Sequence, residues 1–307
     1  MSNGKKQFIY PVNVPKTKQG IYRANLELIT KKTGRLLLVA GDQRIEHLNS
    51  DFFGSGIDPD DNDPEHFFQI ADKAPIGAVA VHYGLASWYG SHYRRLPYII
   101  KLNGKTNLLP GDPVSYCSAS VSQAVELAKQ GGFRLAGIGY TIFLGSQYEG
   151  QMMSTAAEII RQAHSQGLVA IIWIYPKGVN IKNENNVEII AGAAGVAVSL
   201  GADFVKVKAP RPLTSKNIQR IVQAAGYTKV IFAGGSSCLA DQFFQDVAKQ
   251  LSAGAAGVAI GRNIHQRSVT EAKGWLRGLA AMVYEGKAAE QALRLIKPTI
   301  KRQKKVK

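Results

Sequence analysis

Cysteine is scarce in this chain: Cys117 and Cys238 are the only two in 307 residues, far apart and in no metal-ligand spacing. That scarcity gives no disulfide framework, fits a reducing compartment, and leaves both residues as ordinary packing positions. Long apolar runs are also missing. None approaches the ~20 residues of a membrane span, and Met1-Ser2-Asn3-Gly4-Lys5-Lys6 does not lead into the apolar core of a signal peptide. The expected location is therefore the cytosol, with no membrane partner. Acid is in deficit, with 22 Asp and Glu against 38 Lys and Arg, for a net charge of +16. Such an excess raises the question of nucleic acid. Its distribution argues against that partner, because residues 1–35 hold eight Lys/Arg against one Glu and residues 297–307 hold six against none. The middle is nearly neutral, and no aromatics are interleaved with the basic tail for base stacking. A solvated tail accounts for the charge.

Short apolar runs are what the chain does have, and they recur. They span residues 36–40, 77–82, 98–102, 137–144, 169–175, 204–208, 229–233 and 257–260, eight in all. Most are strand-like and end near Gly, Pro, Asp or Asn, and amphipathic segments separate them, which argues for βαβ units and a parallel sheet. Helical patterns cover residues 64–73, 118–130, 149–166, 187–200, 215–225 and 239–251. Asp63-Pro64 reads as a cap followed by proline at the first helical position. The resulting fold expectation is α/β, a (β/α)8 TIM barrel forming a single domain over residues 36–296. An N-terminal extension over 1–35 is expected as an arm or an added element on the barrel floor, and 297–307 as a flexible basic tail. Periodicity alone leaves a doubly wound open sheet as the alternative.

Barrel chemistry belongs at the carboxyl ends of the strands, so the residues found there matter most. The first run ends at Asp42, the second at His82 and the third at Lys101, while the fifth closes on Trp173-Ile174-Tyr175. The sixth carries Lys206 and Lys208. The seventh and eighth end in Gly234-Gly235-Ser236 and Gly261-Arg262-Asn263. Gly-rich turns after the last two strands of a barrel suit a phosphate, bound by backbone N–H groups and a helix N-terminus, with Arg262 adding a charged fork. A lysine inside an apolar strand is costly unless it snorkels to the surface or loses its charge, and a neutral amine is what carbonyl addition requires. With Tyr175 on a neighbouring strand and Asp42 across the mouth, a nucleophile, a proton-transfer group and an ionised partner converge. Zinc chemistry would need three suitably placed histidines. Only His82 clearly stands at a strand end, so no metal is expected.

The ordered motifs Asp42 with Ile45-Glu46-His47, Lys101-Leu102-Asn103-Gly104-Lys105, Trp173-Ile174-Tyr175-Pro176-Lys177-Gly178, Gly201-Ala202-Asp203 leading to Lys206, Gly234-Gly235 and Gly261-Arg262-Asn263 resemble those of the archaeal-type class I fructose-bisphosphate aldolases. That group also contains the deoxyribose-phosphate and tagatose-bisphosphate aldolases, and the resemblance covers about residues 36–284. It implies a lyase of glycolysis and gluconeogenesis, working without a cofactor as a homo-oligomer on a phosphorylated sugar. Lys206 would form the Schiff base, Tyr175 would transfer protons, and Asp42 would assist carbinolamine chemistry and C–C cleavage. Trp173 would line the site, and Gly235, Gly261 and Arg262 would hold a phosphate. Lys208, which alternation also turns inward, would either tune the Lys206 amine or bind phosphate. Gln43 and Leu48 depart from the family pattern near the first strand. The alternatives are a sister Schiff-base aldolase or transaldolase-like synthase for another keto-sugar phosphate and, more distantly, a non-catalytic polyanion-binding protein.

Overall fold

A computed structural model describes residues 8–296. Strands β1 (Leu36–Ala40), β2 (Ala78–His82), β3 (Pro97–Lys101), β4 (Arg134–Leu144), β5 (Val169–Pro176), β6 (Phe204–Val207), β7 (Lys229–Ala233) and β8 (Gly257–Ile260) are all parallel. Pairing of β1 with β8 closes the sheet, which excludes the open alternative. The expected 297–307 tail lies outside the described residues.

Side-chain alternation divides the strand residues into two cores. Leu37, Val39, Val79, Val81, Ile100, Ile172, Val205 and Phe232 face outward into a layer shared with the helices. Leu36, Leu38, Ala78, Ala80, Ile99, Ile171, Phe204 and Ile231 face inward and fill the barrel. Counting two residues upward from Ile99, Ile171 and Phe204 arrives at Lys101, Trp173 and Lys206. The sequence thus delivers two lysines and an indole to the top inner layer.

Strand β4 makes room for them. A register shift between Tyr98 and Ile99 inserts an extra residue into the β3–β4 pairing. The shift leaves Gly139 opposite both Lys101 and Ile171. A Cβ at Gly139 would lie 2.5 Å from Cζ3 of Trp173 and 3.5 Å from Cδ of Lys101. Only glycine lets both side chains occupy that layer.

Helices Pro64–Ala71, Val121–Gly131, Glu149–Ser165, Val187–Leu200, Ser215–Ala224 and Ala240–Ser252 match the six expected segments to within a few residues. Where boundaries moved, caps explain it: Ser120 forms a capping box with Gln123, so that helix begins three residues later than the pattern suggested. Of the N-terminal extension, residues 19–29 form a helix, not an extended arm. It packs under the barrel, where Asn25 Nδ2 donates to the Gly167 carbonyl at 2.8 Å and Arg134 donates to Asn25 Oδ1 at 3.0 Å. Further helices at Tyr83–Tyr89, Val269–Glu285 and Ala289–Leu293 had no counterpart in the pattern. No described helix is long and apolar enough to cross a membrane.

Candidate active site

Above the top inner layer lies a cavity of about 620 Å³, lined among others by Asp42, Glu46, Tyr175, Lys206, Gly235 and Arg262. Lys206 forms its floor. The side chain is 5% exposed, its Nζ stands 5.4 Å from the centroid of the Trp173 ring, and β6 pairs Lys206 directly with Trp173. Burial depresses the amine's pKa. Asp42 and Glu46 oppose that effect, while the Lys101 and Arg262 charges reinforce it. The net result moves Lys206 toward the neutral, nucleophilic form.

Lys101, which the sequence places at the end of the third strand without a role, stands at the centre of the site. Its side chain is fully buried, its Nζ donates to Asp42 Oδ2 at 2.7 Å and approaches Glu46 Oε1 at 3.3 Å, and it stands 5.0 Å from the Trp173 centroid. Burial alone would lower its pKa, but the two carboxylates outweigh burial and hold it protonated. Asp42 shows the complementary balance: burial pushes its carboxyl up, and Lys101, Lys206 and the Lys101 hydrogen bond carry it below the usual range. Asp42 stands at the N-cap position of helix Gln43–Glu46 yet makes no side-chain cap bond. Its carboxylate is turned inward instead, which rules out simple capping as its role.

Tyr175 sits one layer above Trp173 on the same face of β5. Burial and then the Glu46 and Asp42 charges raise its phenol well above the ordinary value, with Arg262 opposing, so it remains protonated over the working range. A protonated phenol at the same cavity as the Lys206 amine can donate a proton to a departing or forming hydroxyl.

At the cavity edge, the turn after β7 is opened by Gly235 at φ +69° and tied down by Asn263. The buried Asn263 donates to the Ser236 and Gly234 carbonyls at 3.0 and 3.3 Å and accepts from the Cys238 amide at 3.0 Å. Gly234 spends its own amide on the Ala259 carbonyl at 2.7 Å. Among the described residues the amides of Gly235, Ser236 and Ser237 donate to no protein acceptor, which leaves three adjacent N–H groups for an anion. Arg262 also lines the cavity, its Nε 3.8 Å from Asp51 Oδ2. The helix that Gly261 opens, Arg262–His265, has only four residues, so the expected helix-terminus contribution is small and the turn amides matter more.

Trp173 is not among the cavity-lining residues: inward alternation places its indole beneath the floor, under both ammonium groups. Lys208 lines the cavity, just past the end of β6 at Val207, and its ammonium pairs with Glu184. The charge beside Lys206 comes from Lys101 instead. Lys105, Lys177 and Arg211 join Lys208 in giving the mouth a second cationic border. Lys105 is depressed by desolvation and then by Lys177, which shows that those two charges are close.

His82 is buried with both ring nitrogens unpartnered. Asp58, Asp60 and His66 make the one three-residue group with metal-ligand spacing among the described residues, and none of them lines the cavity.

A closed parallel barrel with a buried amine, a phenol and a carboxylate below a backbone anion cradle defines an aldolase of the Schiff-base kind. Residues 36–267 match the family model described as DeoC/LacD family aldolase. The chain is 44% identical over 294 residues, 95% of either chain, to the fructose-bisphosphate aldolase/6-deoxy-5-ketofructose 1-phosphate synthase of Methanocaldococcus jannaschii. It is 37% identical to the class 1 fructose-bisphosphate aldolase of Thermoproteus tenax, covering 86% of this chain and 95% of that one. Among solved structures, the fructose-bisphosphate aldolase of Slackia heliotrinireducens superposes with a TM-score of 0.91 at 40% identity, over 94% of both chains. An archaeal fructose-1,6-bisphosphate aldolase whose catalytic Lys is bound to the carbinolamine intermediate gives 0.76 at 35% identity, over 86% of this chain and 99% of that one. The chain belongs to the DeoC/LacD aldolase family, in its archaeal-type class I fructose-bisphosphate aldolase branch.

Proposed function

We infer that the protein is a Schiff-base aldolase that reversibly cleaves fructose 1,6-bisphosphate to dihydroxyacetone phosphate and glyceraldehyde 3-phosphate. The observation that carries this reading is Lys206, a buried amine pushed toward neutrality at the floor of a cavity with cationic or amide-rich borders on both sides. The relatives' names support the substrate, and the cavity's two anion-attracting borders suit a ligand with a phosphate at each end. In this scheme Lys206 Nζ adds to the C2 ketone, and Tyr175 protonates the carbinolamine hydroxyl, which leaves as water. The resulting iminium accepts the electron pair of the C3–C4 bond as the Tyr175 phenolate left by that donation takes the proton of the C4 hydroxyl. Ionised Asp42 beside the amine stabilises the developing positive charge. The aldehyde departs, the enamine is protonated at C3, and water releases dihydroxyacetone phosphate. Gly235, Ser236, Gly261 and Arg262 hold the C1 phosphate in this assignment. Lys105, Lys177, Lys208 and Arg211 meet the other phosphate. We propose a cytosolic homo-oligomer as the working form, on family resemblance alone.

The test is borohydride reduction with dihydroxyacetone phosphate followed by peptide mass spectrometry, with the covalent adduct expected on Lys206. Lys206→Met retaining full activity would overturn the assignment. A panel of phosphorylated keto-sugars then tests the substrate: the highest kcat/KM is expected for fructose 1,6-bisphosphate, and a stronger preference for another sugar phosphate would move the protein to a sister aldolase or synthase role.

A further inference from the structure

The mechanism above uses Lys206, Tyr175 and Asp42 and leaves unused a lysine that is fully buried, Lys101. We propose that Lys101 is a positioning residue of the reaction: an ammonium clamped between Asp42 and Glu46, it fixes the Asp42 carboxylate in place and sets an immobile positive charge beside the Lys206 amine. The proposal rests on the reading of Lys206 as the nucleophile.

A fully buried lysine without function would be a poor use of a barrel core, since replacing a buried ion pair by well-packed apolar side chains is often neutral or better. Here the fold invests further in it. Strand β4 is shifted in register and Gly139 is left bare where Lys101 and Trp173 pass. Lys101 and Lys206 approach the same indole, at 5.0 and 5.4 Å from its centroid. Asp42 then has one fixed hydrogen-bond partner, Lys101 Nζ at 2.7 Å, and forms no cap bond that could compete.

Around Lys206 stand Asp42 and Glu46 from the segment after β1, Lys101 from β3 and Arg262 from the segment after β8. Around Lys101 stand the same two carboxylates and His82 from β2, which burial and then Lys101 keep in its neutral form. Tyr175 from β5 remains protonated for the reasons given above. Lys101 and Glu46 therefore act on Lys206 with opposite signs: Lys101 lowers the amine's pKa and Glu46 raises it.

Opposite signs give a test that a merely structural role does not pass. The readout is the pH dependence of borohydride trapping of dihydroxyacetone phosphate on Lys206, which reports the amine rather than overall turnover. For Lys101→Met the acidic limb is expected to move upward by a unit or more, so trapping at pH 7 falls about tenfold and recovers as pH rises. For Glu46→Gln the limb is expected to move downward. Lys101→Arg, which keeps the charge, should restore a limb near the parent position even if kcat falls. Limbs unmoved in both Lys101→Met and Glu46→Gln, or moved in the same direction, overturn the proposal. If Lys101→Met fails to fold, Glu46→Gln and Lys101→Arg decide alone: an unmoved limb for the first, or a limb raised by a unit in the second, overturns it. Absence of trapping in the parent protein would instead defeat the reading of Lys206, so the two failures are distinguishable.

Discussion

Lys101 and Lys206 look alike in the sequence. Each lies at or near the end of a short apolar strand, and each is buried with its Nζ near the face of Trp173. Their pKa values move in opposite directions because of partners that one-dimensional spacing does not reveal. Asp42 and Glu46 turn inward onto Lys101 and hold its charge, while Lys206 receives the repulsion of that charge without a hydrogen-bonded carboxylate of its own. The same limitation covers Lys208, whose ion pair with Glu184 no spacing reveals. Tyr175, by contrast, was readable from β5 periodicity. For Tyr175→Phe we expect kcat to fall by about 10²–10³-fold, the usual contribution of a positioned proton donor, while the Lys206 adduct still forms under borohydride. Steady-state kinetics alongside trapping provides the check, and a loss of less than about fivefold would return Tyr175 to the cavity lining.

Among the elements, the eight strands were legible because a parallel barrel buries both faces of every strand and leaves apolar runs bounded by turn residues. Helices with one clean stripe and a recognisable cap were legible for a similar reason. Val269–Glu285 was not, because ten of its residues are buried, including Gly274 and Gly278, and no polar face stands out. Tyr83–Tyr89 is too short for periodicity to register. The turn after β7 was recognised as an anion site from Gly234-Gly235, but the feature that shapes it, Asn263, sits 29 residues beyond Gly234 and contributes all three of its bonds from there. Asn263→Ala would strand two carbonyls and one amide, at a cost of about 1–3 kcal/mol each where water cannot replace the bond. We expect KM for the bisphosphate to rise at least tenfold with a smaller change in kcat, measured by steady-state kinetics. Asn263→Asp restores the acceptor but loses the donor and adds a negative charge near the cradle, so its KM should not recover. Equal KM values in the parent and Asn263→Ala would detach the turn from phosphate binding.

At the scale of the whole molecule, the barrel separates two tasks by end. Gly201-Ala202-Asp203 was recognised as a marker preceding Lys206, and the structure gives Asp203 a job at the opposite end of β6. Its carboxylate accepts from the Tyr22 hydroxyl, from His164 Nε2 at 3.0 Å and from the Ala170 amide at 2.7 Å, while His164 Nδ1 meets Asn13 at 2.9 Å. The network ties the N-terminal helix Gln19–Ile29 to strands β5 and β6 beneath the core. Burial, followed by the Asp203 charge and hydrogen bond, pushes the Tyr22 phenol far above its usual range, so the bond persists through the alkaline limb of any assay. This end of the barrel serves stability, and the carboxyl end serves chemistry. Tyr22→Phe removes one charge-assisted bond to a buried carboxylate, worth about 1.5–3 kcal/mol. The Tm is expected to fall by several degrees in a chain of this size, with kcat/KM and the borohydride adduct at Lys206 unchanged below the unfolding transition. Calorimetry and kinetics on the same preparation test this together, and a variant that loses activity while keeping its Tm would show that the floor of the barrel reaches the active site after all.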